Sequence, residues 1–318
     1  MTSHFSPDRP VPVILRARND LPRISATLYA LARQTRPYEL IAFDNASTDG
    51  TREALVEAGA TVHDVAEGSY IPGQVLNRAM EASTGDIVVF LNSDCTPCHP
   101  EWLETLVSVL EADASLAGVF GRQVPRPDCT PLYAADTERA FGDGSAHSRF
   151  GHFFSMASSA IRRSAWEALP FSETLRYSED IDWSWRARQA GHEIGYVPKS
   201  VVEHSHNYTL GEWYRRQRGE GAAEAVIFLM TPWERSLVRY SLLPWCRAIT
   251  RDIRTAWRRR SPGALWQSPW LRLAGTLGRR AGLREGLRMP PAEIPALQDR
   301  AHVGGVEQEP TRTSEPVA

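Results

Sequence analysis

Asp94 closes the stretch Gly-Asp-Ile-Val-Val-Phe-Leu-Asn-Ser-Asp at 85–94. Residues 87–91 are apolar without a break and rich in β-branched types, which suits a parallel strand covered on both faces. The run stops on Asn92, Ser93 and Asp94, and Pro97 and Pro100 follow before a helical pattern begins near Trp102. A carboxylate therefore stands at the carboxyl end of a central strand, where open α/β sheets place their ligands. Carboxylate oxygen suits a hard divalent cation, and the competing role is to cap the turn that follows. Asp44 ends a second apolar strand, and Arg16 and Arg18 stand at the mouth of a first. Asp49 sits in a Thr-Asp-Gly turn, where turn and cap chemistry explain it as well as ligand contact does. Glu179 and Asp180 open a helix, whose N-terminal dipole favours acids without any further role. His204 and His206 are alternate residues, so on a strand they share a face. Cys95-Thr96-Pro97-Cys98, after a strand and before a helix, has the form of a thioredoxin-like dithiol.

The elements that must position these groups alternate. Strands are predicted over 11–15, 40–43, 61–65, 87–91, 193–197 and 200–204. Helices are predicted over 21–34, 51–58, 73–82, 102–110, 158–168, 179–190 and 210–229, the last opening on Thr209, a good N-cap. Alternation of this kind predicts an α/β fold with a mostly parallel sheet and helices on both faces.

Hydrophobic content of 42% and charged content of 23% are ordinary for a globular chain of 318 residues. The net charge of -2 hides an asymmetry, because 231–289 carries thirteen arginines against Glu234, Asp252 and Glu285. In that stretch Trp233, Leu237, Tyr240, Leu243, Ile249, Ile253 and Trp257 recur at helical spacing with arginine between them. This predicts interfacial helices with a basic face that meet an anionic membrane surface; the Trp and Leu content suits lipid rather than nucleic acid. Residues 290–318 are rich in Pro, Glu and Thr without period, and disorder is expected. No run approaches the roughly 20 apolar residues of a membrane span, and the polar N-terminus lacks the apolar core of a signal peptide. The expected setting is cytoplasmic, peripheral to the inner face of the cell membrane. The organisation read from composition is 1–229 as the main domain, 230–289 as a basic amphipathic helical region and 290–318 as a tail.

The 85–94 stretch, Phe-Asp-Asn-Ala-Ser-Thr-Asp-Gly-Thr at 43–51 and Ser-Glu-Asp-Ile-Asp-Trp at 178–183 together resemble family 2 glycosyltransferases, inverting enzymes of GT-A fold. Arg-Ala-Arg-Asn-Asp at 16–20, Gly-Arg-Gln-Val-Pro-Arg-Pro-Asp at 121–128 and His-Ser-His-Asn-Tyr at 204–208 are similar to the rhamnosyltransferase-like branch. The resemblance covers about 11–229. It implies a GT-A, Rossmann-like sheet and transfer of a sugar from a nucleotide-sugar donor, dTDP-rhamnose or a UDP-sugar, to a glycan or lipid-linked acceptor in cell-surface polysaccharide synthesis.

The resemblance also implies roles for single residues. Asp94 would hold Mn2+ or Mg2+ under the leaving diphosphate, with His204 or His206 completing the shell. Asp180 would be the general base, and Asp182 is a rival. Asp44, Arg16, Asn77, Glu179, Trp183, Arg215 and Arg218 would contact substrate, with Arg216 a third candidate for gripping diphosphate. Where the family carries Asp-x-Asp this chain has Asn92-Ser93-Asp94, one charge fewer. Two other classes compete: a dithiol oxidoreductase through Cys95 and Cys98, and a non-catalytic nucleotide-sugar or membrane binder that keeps the fold.

Overall fold

A computed structural model describes residues 10–144, 153–228 and 236–288. In chain order the elements are β1 (Val11–Ala17), α1 (Arg23–Leu31), β2 (Tyr38–Asp44), α2 (Thr51–Glu57), β3 (Thr61–Asp64), α3 (Pro72–Ala82), β4 (Ile87–Asn92), β5 (Thr96–Pro97) and α4 (Trp102–Ala112). Then come β6 (Leu116–Val124), α5 (Pro131–Phe141), β7 (Ser158–Arg162), α6 (Arg163–Ala168), α7 (Glu179–Gln189), β8 (Glu193–Glu203) and α8 (Leu210–Ile227). A π-helical turn, Leu237–Leu242, leads into α9 (Leu243–Arg258) and α10 (Pro262–Gly286).

One eight-stranded sheet has the order β3-β2-β1-β4-β7-β6-β8-β5. The pairs β3-β2, β2-β1, β1-β4 and β6-β8 are parallel, whereas β7 runs antiparallel between β4 and β6, and β5 antiparallel to β8 at the edge. This is the mixed, mostly parallel α/β sheet that the alternation predicts. The unbroken apolar runs follow from burial on both faces. On one face Val13, Leu15, Val89 and Leu91 pack with Trp102, Leu103 and Leu106 of α4. On the other Ile14, Phe43, Val88 and Phe90 meet Phe120, Phe171 and Trp183. Burying one such aliphatic or phenyl side chain stabilises the fold by about 2–3 kcal/mol.

Register then sets the site. Arg16 lies opposite Asn92, and Ala17 opposite Asp44, so β1, β2 and β4 end level with one another. On the far side β8 ends beside β6, with the His204 amide donating to the Val124 carbonyl at 2.9 Å.

Two expectations are corrected. The helix predicted over 158–168 is a strand followed by one short helix. Ser158–Arg162 is inserted between β4 and β6, and these neighbours decide its conformation against a weak local preference. The strands predicted over 193–197 and 200–204 are one strand, Glu193–Glu203, whose pairing with β6 shifts register after Val197. His204 therefore lies just beyond the strand, and alternation does not account for the two histidines sharing a side. Thr209 caps α8 as predicted, within a capping box completed by Glu212.

Helices also form over most of the basic region. α10 lies along α8 at close range: a Cβ at Gly282 would stand 1.8 Å from the Arg218 carbonyl oxygen, and one at Gly278 2.3 Å from that of Tyr214. Buried Arg272 bonds Asp252 of α9 and Asp136 of α5, tying three helices together. Residues 290–318, where disorder is expected, lie outside the described residues. Among the described residues no helix is long and apolar enough to cross a membrane.

Candidate active site

The polar ends of β1 and β4 meet the start of α7 through Arg16, and the segment after β8 through Asp94. Asp94 is buried, 8% exposed. Its Oδ1 lies 3.6 Å from His204 Nε2, and its Oδ2 lies 3.8 Å from His206 Nε2. Neither contact is a hydrogen bond. His204 Nε2 is buried and, among the described residues, has no hydrogen-bond partner. Burial holds the His204 imidazole down at about 4, with Asp94 opposing that shift, so the ring is neutral at ordinary pH. Ligand atoms of Asp94, Cys95 and His204 lie within 4.8 Å of one another. A carboxylate and an orphaned neutral imidazole facing it are a donor set that fits a divalent cation such as manganese.

Arg126 braces this corner. Its guanidinium donates to the Asp94 carbonyl oxygen at 2.8 Å and lies 3.9 Å from Asp94 Oδ2. It also donates to the Ser205 carbonyl oxygen, so it fixes the chain on both sides of the Asp94–His204 contact. Asp20 accepts a hydrogen bond from Ser93, and its carboxyl is raised by burial, with the charge of Asp94 adding to the rise.

The acidic pair sits across the cleft. Arg16 spans the gap, donating to Asn92 Oδ1 at 3.0 Å and to Glu179 Oε1 at 3.3 Å, with Tyr70 hydroxyl at 3.4 Å. Asp180 Oδ1 accepts from the Ile181 amide at 2.9 Å and Oδ2 from the Met156 amide at 3.4 Å. The adjacent Ala157 carbonyl accepts from the Asn92 amide at 3.0 Å. The 156–157 backbone thus touches both motifs. Burial, then the charge of Glu179, raises the Asp180 carboxyl to about 7. Carboxyls tuned into this range serve as proton acceptors near neutral pH. Glu179 and Asp180 lie in the first turn of α7, where its dipole favours acids, while Ser178, the expected cap, makes no side-chain cap and stands in the left-handed region, φ 60°. Backbone strain of this kind concentrates at functional sites.

Asp44 is 2% exposed. Its Oδ2 accepts from the Ser47 amide at 3.0 Å, while Oδ1 is buried without a partner among the described residues. That atom is free to accept from a ligand. Asp49 is occupied with the turn, accepting from the amides of Thr51 and Leu21, and Arg18 is exposed.

Other expected contacts are not brought together. Asn77 is consumed structurally: its amide donates to the Phe171 carbonyl and Glu173, and its oxygen accepts from Trp166 and the Phe171 amide. Trp183 is wholly buried, stacked among Phe154 and Phe171 with its Nε1 on the Leu169 carbonyl, and offers no face for a sugar. Arg218 is turned to α10 and pairs with Glu285. Arg215 is exposed. Arg216 is exposed as well, and its guanidinium lies 5.6 Å over the Tyr208 ring and 2.9 Å from Glu220, within electrostatic reach of Asp180. The rival base Asp182 is locked to Arg186 at 2.8 Å in the interior. Residues that sequence reading left without a role are Gln123 and Arg126, although both lie in the 121–128 motif, and Asp20, in the 16–20 motif.

The dithiol reading fails on chemistry. Cys95 and Cys98 are free thiols, Cys95 is fully buried, and burial raises both thiols above the usual range. A reactive dithiol needs the opposite shift.

Comparison with known proteins agrees with this geometry. The family described as Glycosyl transferase family 2 matches residues 13–167, from β1 into α6. The O-antigen chain rhamnosyltransferase WbaN of Salmonella anatum is 32% identical over 217 residues, covering 64% of this chain and 67% of its own. The O-antigen chain rhamnosyltransferase RfbN of Salmonella typhimurium is 29% identical, covering 65% and 68%. Among solved structures, the mannosyltransferase PcManGT from Pyrobaculum calidifontis, in complex with GDP-Man and Mn2+, aligns with a TM-score of 0.60 at 22% identity over 90% of each chain. Glucosyl-3-phosphoglycerate synthase from Mycobacterium tuberculosis, in complex with Mn2+, UDP and glucosyl-3-phosphoglycerate, aligns with a TM-score of 0.53 at 22% identity, covering 70% of this chain and 81% of that one. The fold is GT-A, and the chain belongs to glycosyl transferase family 2 and is a glycosyltransferase.

Proposed function

We propose that this glycosyltransferase works with inversion and with a divalent cation, Mn2+ or Mg2+, taking its sugar from a nucleotide-sugar donor. One observation carries the reading: Arg16 bonds both Asn92, two residues before Asp94 with its facing imidazoles, and Glu179, beside Asp180 with its raised carboxyl. Asp94 and His204, with His206 nearby, would hold the cation. When bound, the cation neutralises the charge that develops on the departing nucleoside diphosphate. Asp44 offers its unpartnered oxygen to the nucleotide, and Arg216 faces the phosphates. Asp180, as carboxylate, takes the proton of the acceptor hydroxyl as that oxygen forms its bond to the anomeric carbon. The nucleophile enters opposite the leaving group, so the centre inverts. Glu179 keeps Asp180 basic, and Arg16 keeps Glu179 in place.

Relatives named as O-antigen chain rhamnosyltransferases support rhamnose as the sugar moved; the donor we propose is dTDP-rhamnose, with a UDP-sugar the next choice, and the acceptor a surface glycan, free or lipid-linked. The test is a panel of nucleotide sugars incubated with and without Mn2+ and a chelator, scored for free nucleoside diphosphate. Release from dTDP-rhamnose that needs the metal is expected. Nucleotide-sugar binding without turnover of any member, acceptor included, would return the non-catalytic alternative.

The membrane reading rests on α9 and α10. The face of α10 away from α8 carries Trp266, Trp270, Leu273 and Leu277 in one helical stripe, exposed by 82, 61, 38 and 51%. α9 adds Ile253 and Trp257, exposed by 46 and 80%, with Arg247, Arg254 and Arg258 also exposed. An aromatic stripe beside arginines suits an anionic lipid interface. The combined change Trp257→Ser, Trp266→Ser and Trp270→Ser is expected to abolish most sedimentation with vesicles containing anionic lipid, leaving turnover of a water-soluble acceptor unchanged. Undiminished sedimentation would refute membrane docking through this face.

A further inference from the structure

We propose that Gln123 is a positioning residue that holds His204 in the tautomer whose Nε2 lone pair faces Asp94, so that His204 rather than His206 is the imidazole ligand. The inference rests on the reading that Asp94 binds a cation.

Gln123 is 5% exposed on β6, one residue before the Val124 carbonyl that receives the His204 amide. Its Oε1 lies 2.7 Å from His204 Nδ1, and its Nε2 donates to Ser155 Oγ at 2.9 Å. An amide oxygen only accepts, so Nδ1 carries the proton of the neutral ring. The lone pair then sits on Nε2. That nitrogen is buried, has no hydrogen-bond partner among the described residues, and lies 3.6 Å from Asp94 Oδ1. Leaving a buried acceptor unsatisfied is costly. A lone pair held toward a carboxylate repels it unless a cation lies between them. Both features have one explanation: Gln123 orients a ligand.

His206 is held differently. Its ring stacks on Tyr208 at 5.2 Å, its side chain is 36% exposed, and among the described residues no hydrogen bond fixes its tautomer.

The experiment titrates Mn2+ into the full chain and follows the paramagnetic resonance of the free ion, alone and with UDP or dTDP present. Removing a group that orients a metal-ligating imidazole commonly costs 10–100-fold in affinity. Gln123→Met, similar in volume but without the acceptor, is expected to weaken Mn2+ binding by about 10–100-fold. Gln123→Glu keeps the acceptor and is expected to hold affinity within a few-fold of wild type or better. His204→Ala should cost more than His206→Ala. Unchanged affinity in Gln123→Met, with binding lost in Asp94→Asn, overturns the role of Gln123 alone. Equal losses in Gln123→Met and Gln123→Glu overturn it too, since packing would then be the cause. Absence of Mn2+ binding by the wild-type chain under both conditions overturns the cation reading beneath it. Should Gln123→Met fail to fold, imidazole nitrogen shifts of the wild-type protein decide: a His204 protonated on Nε2 rather than Nδ1 overturns the proposal.

Discussion

Replacing Asp180 by Asn is expected to lower turnover by about 10²–10⁴-fold, the range that a positioned proton acceptor contributes. The substitution keeps side-chain volume and an oxygen for one of the two amides that Asp180 serves through Oδ1 and Oδ2, and the longer Met156 contact is the one given up, so a modest loss of thermal stability and an unchanged donor affinity should accompany the fall in kcat. The pH profile gives a second reading. Burial and Glu179 lift the Asp180 carboxyl to about 7, and a base works only when deprotonated. For the wild-type enzyme kcat/KM should therefore fall about tenfold per pH unit below 7, a limb absent from the residual activity of Asp180→Asn. Glu179→Gln removes the negative neighbour and frees Arg16, whose charge opposes the rise. Both changes lower the Asp180 carboxyl, so the limb should move to lower pH and stay above the ordinary carboxylate range, because burial remains. Turnover of Asp180→Asn within tenfold of wild type, or a limb unmoved by Glu179→Gln, would remove Asp180 from the role of base.

What could be read from the sequence and what could not divide along one line. Asp94, Asp44 and Arg16 were legible because each ends an apolar run, and a run buried on both faces marks its own end. Asp180 and the histidines were legible as linear motifs. Contacts between elements distant in sequence were not. Arg215, Arg216 and Arg218 are equivalent by spacing, and the rotation of α8 that turns Arg218 to Glu285 and leaves Arg216 at Tyr208 is set by the close packing of Gly278 and Gly282 of α10. Asn77 in α3 looks like a polar residue available to ligand until the 169–173 segment folds over it. Trp183 follows Glu179 and Asp180 by four and three residues, which by spacing puts it on their side of the helix, yet its ring is enclosed by Phe154 and Phe171, which come from other segments of the chain. Gln123 and His204 meet because β6 and β8 are parallel neighbours, a pairing across eighty-one residues that no local pattern announces.

Asp94→Asn is expected to abolish most Mn2+ binding and to reduce turnover by at least about 10²–10³-fold, the scale of losing one electrostatic contact to developing charge. The size follows from how few charges the site has. At position 92 this chain carries Asn, and Arg16 donates to its oxygen at 3.0 Å. An acid there would be drawn into the ion pair that Arg16 makes with Glu179, so the neutral amide leaves the Arg16–Glu179 strut intact. Among the described residues Asp94 is the carboxylate that lies within 4 Å of His204 and His206. Neutral imidazole as co-ligand favours Mn2+ over Mg2+, because nitrogen suits the softer ion. Chelated wild-type enzyme should match Asp94→Asn, Mn2+ should restore the former and not the latter, and Mg2+ should restore less at equal concentration. Full turnover after exhaustive chelation would end the case for a cation at Asp94. Equal rescue by Mg2+ and Mn2+ would instead remove the histidines from the ligand set and leave Asp94 as the protein group that holds the cation.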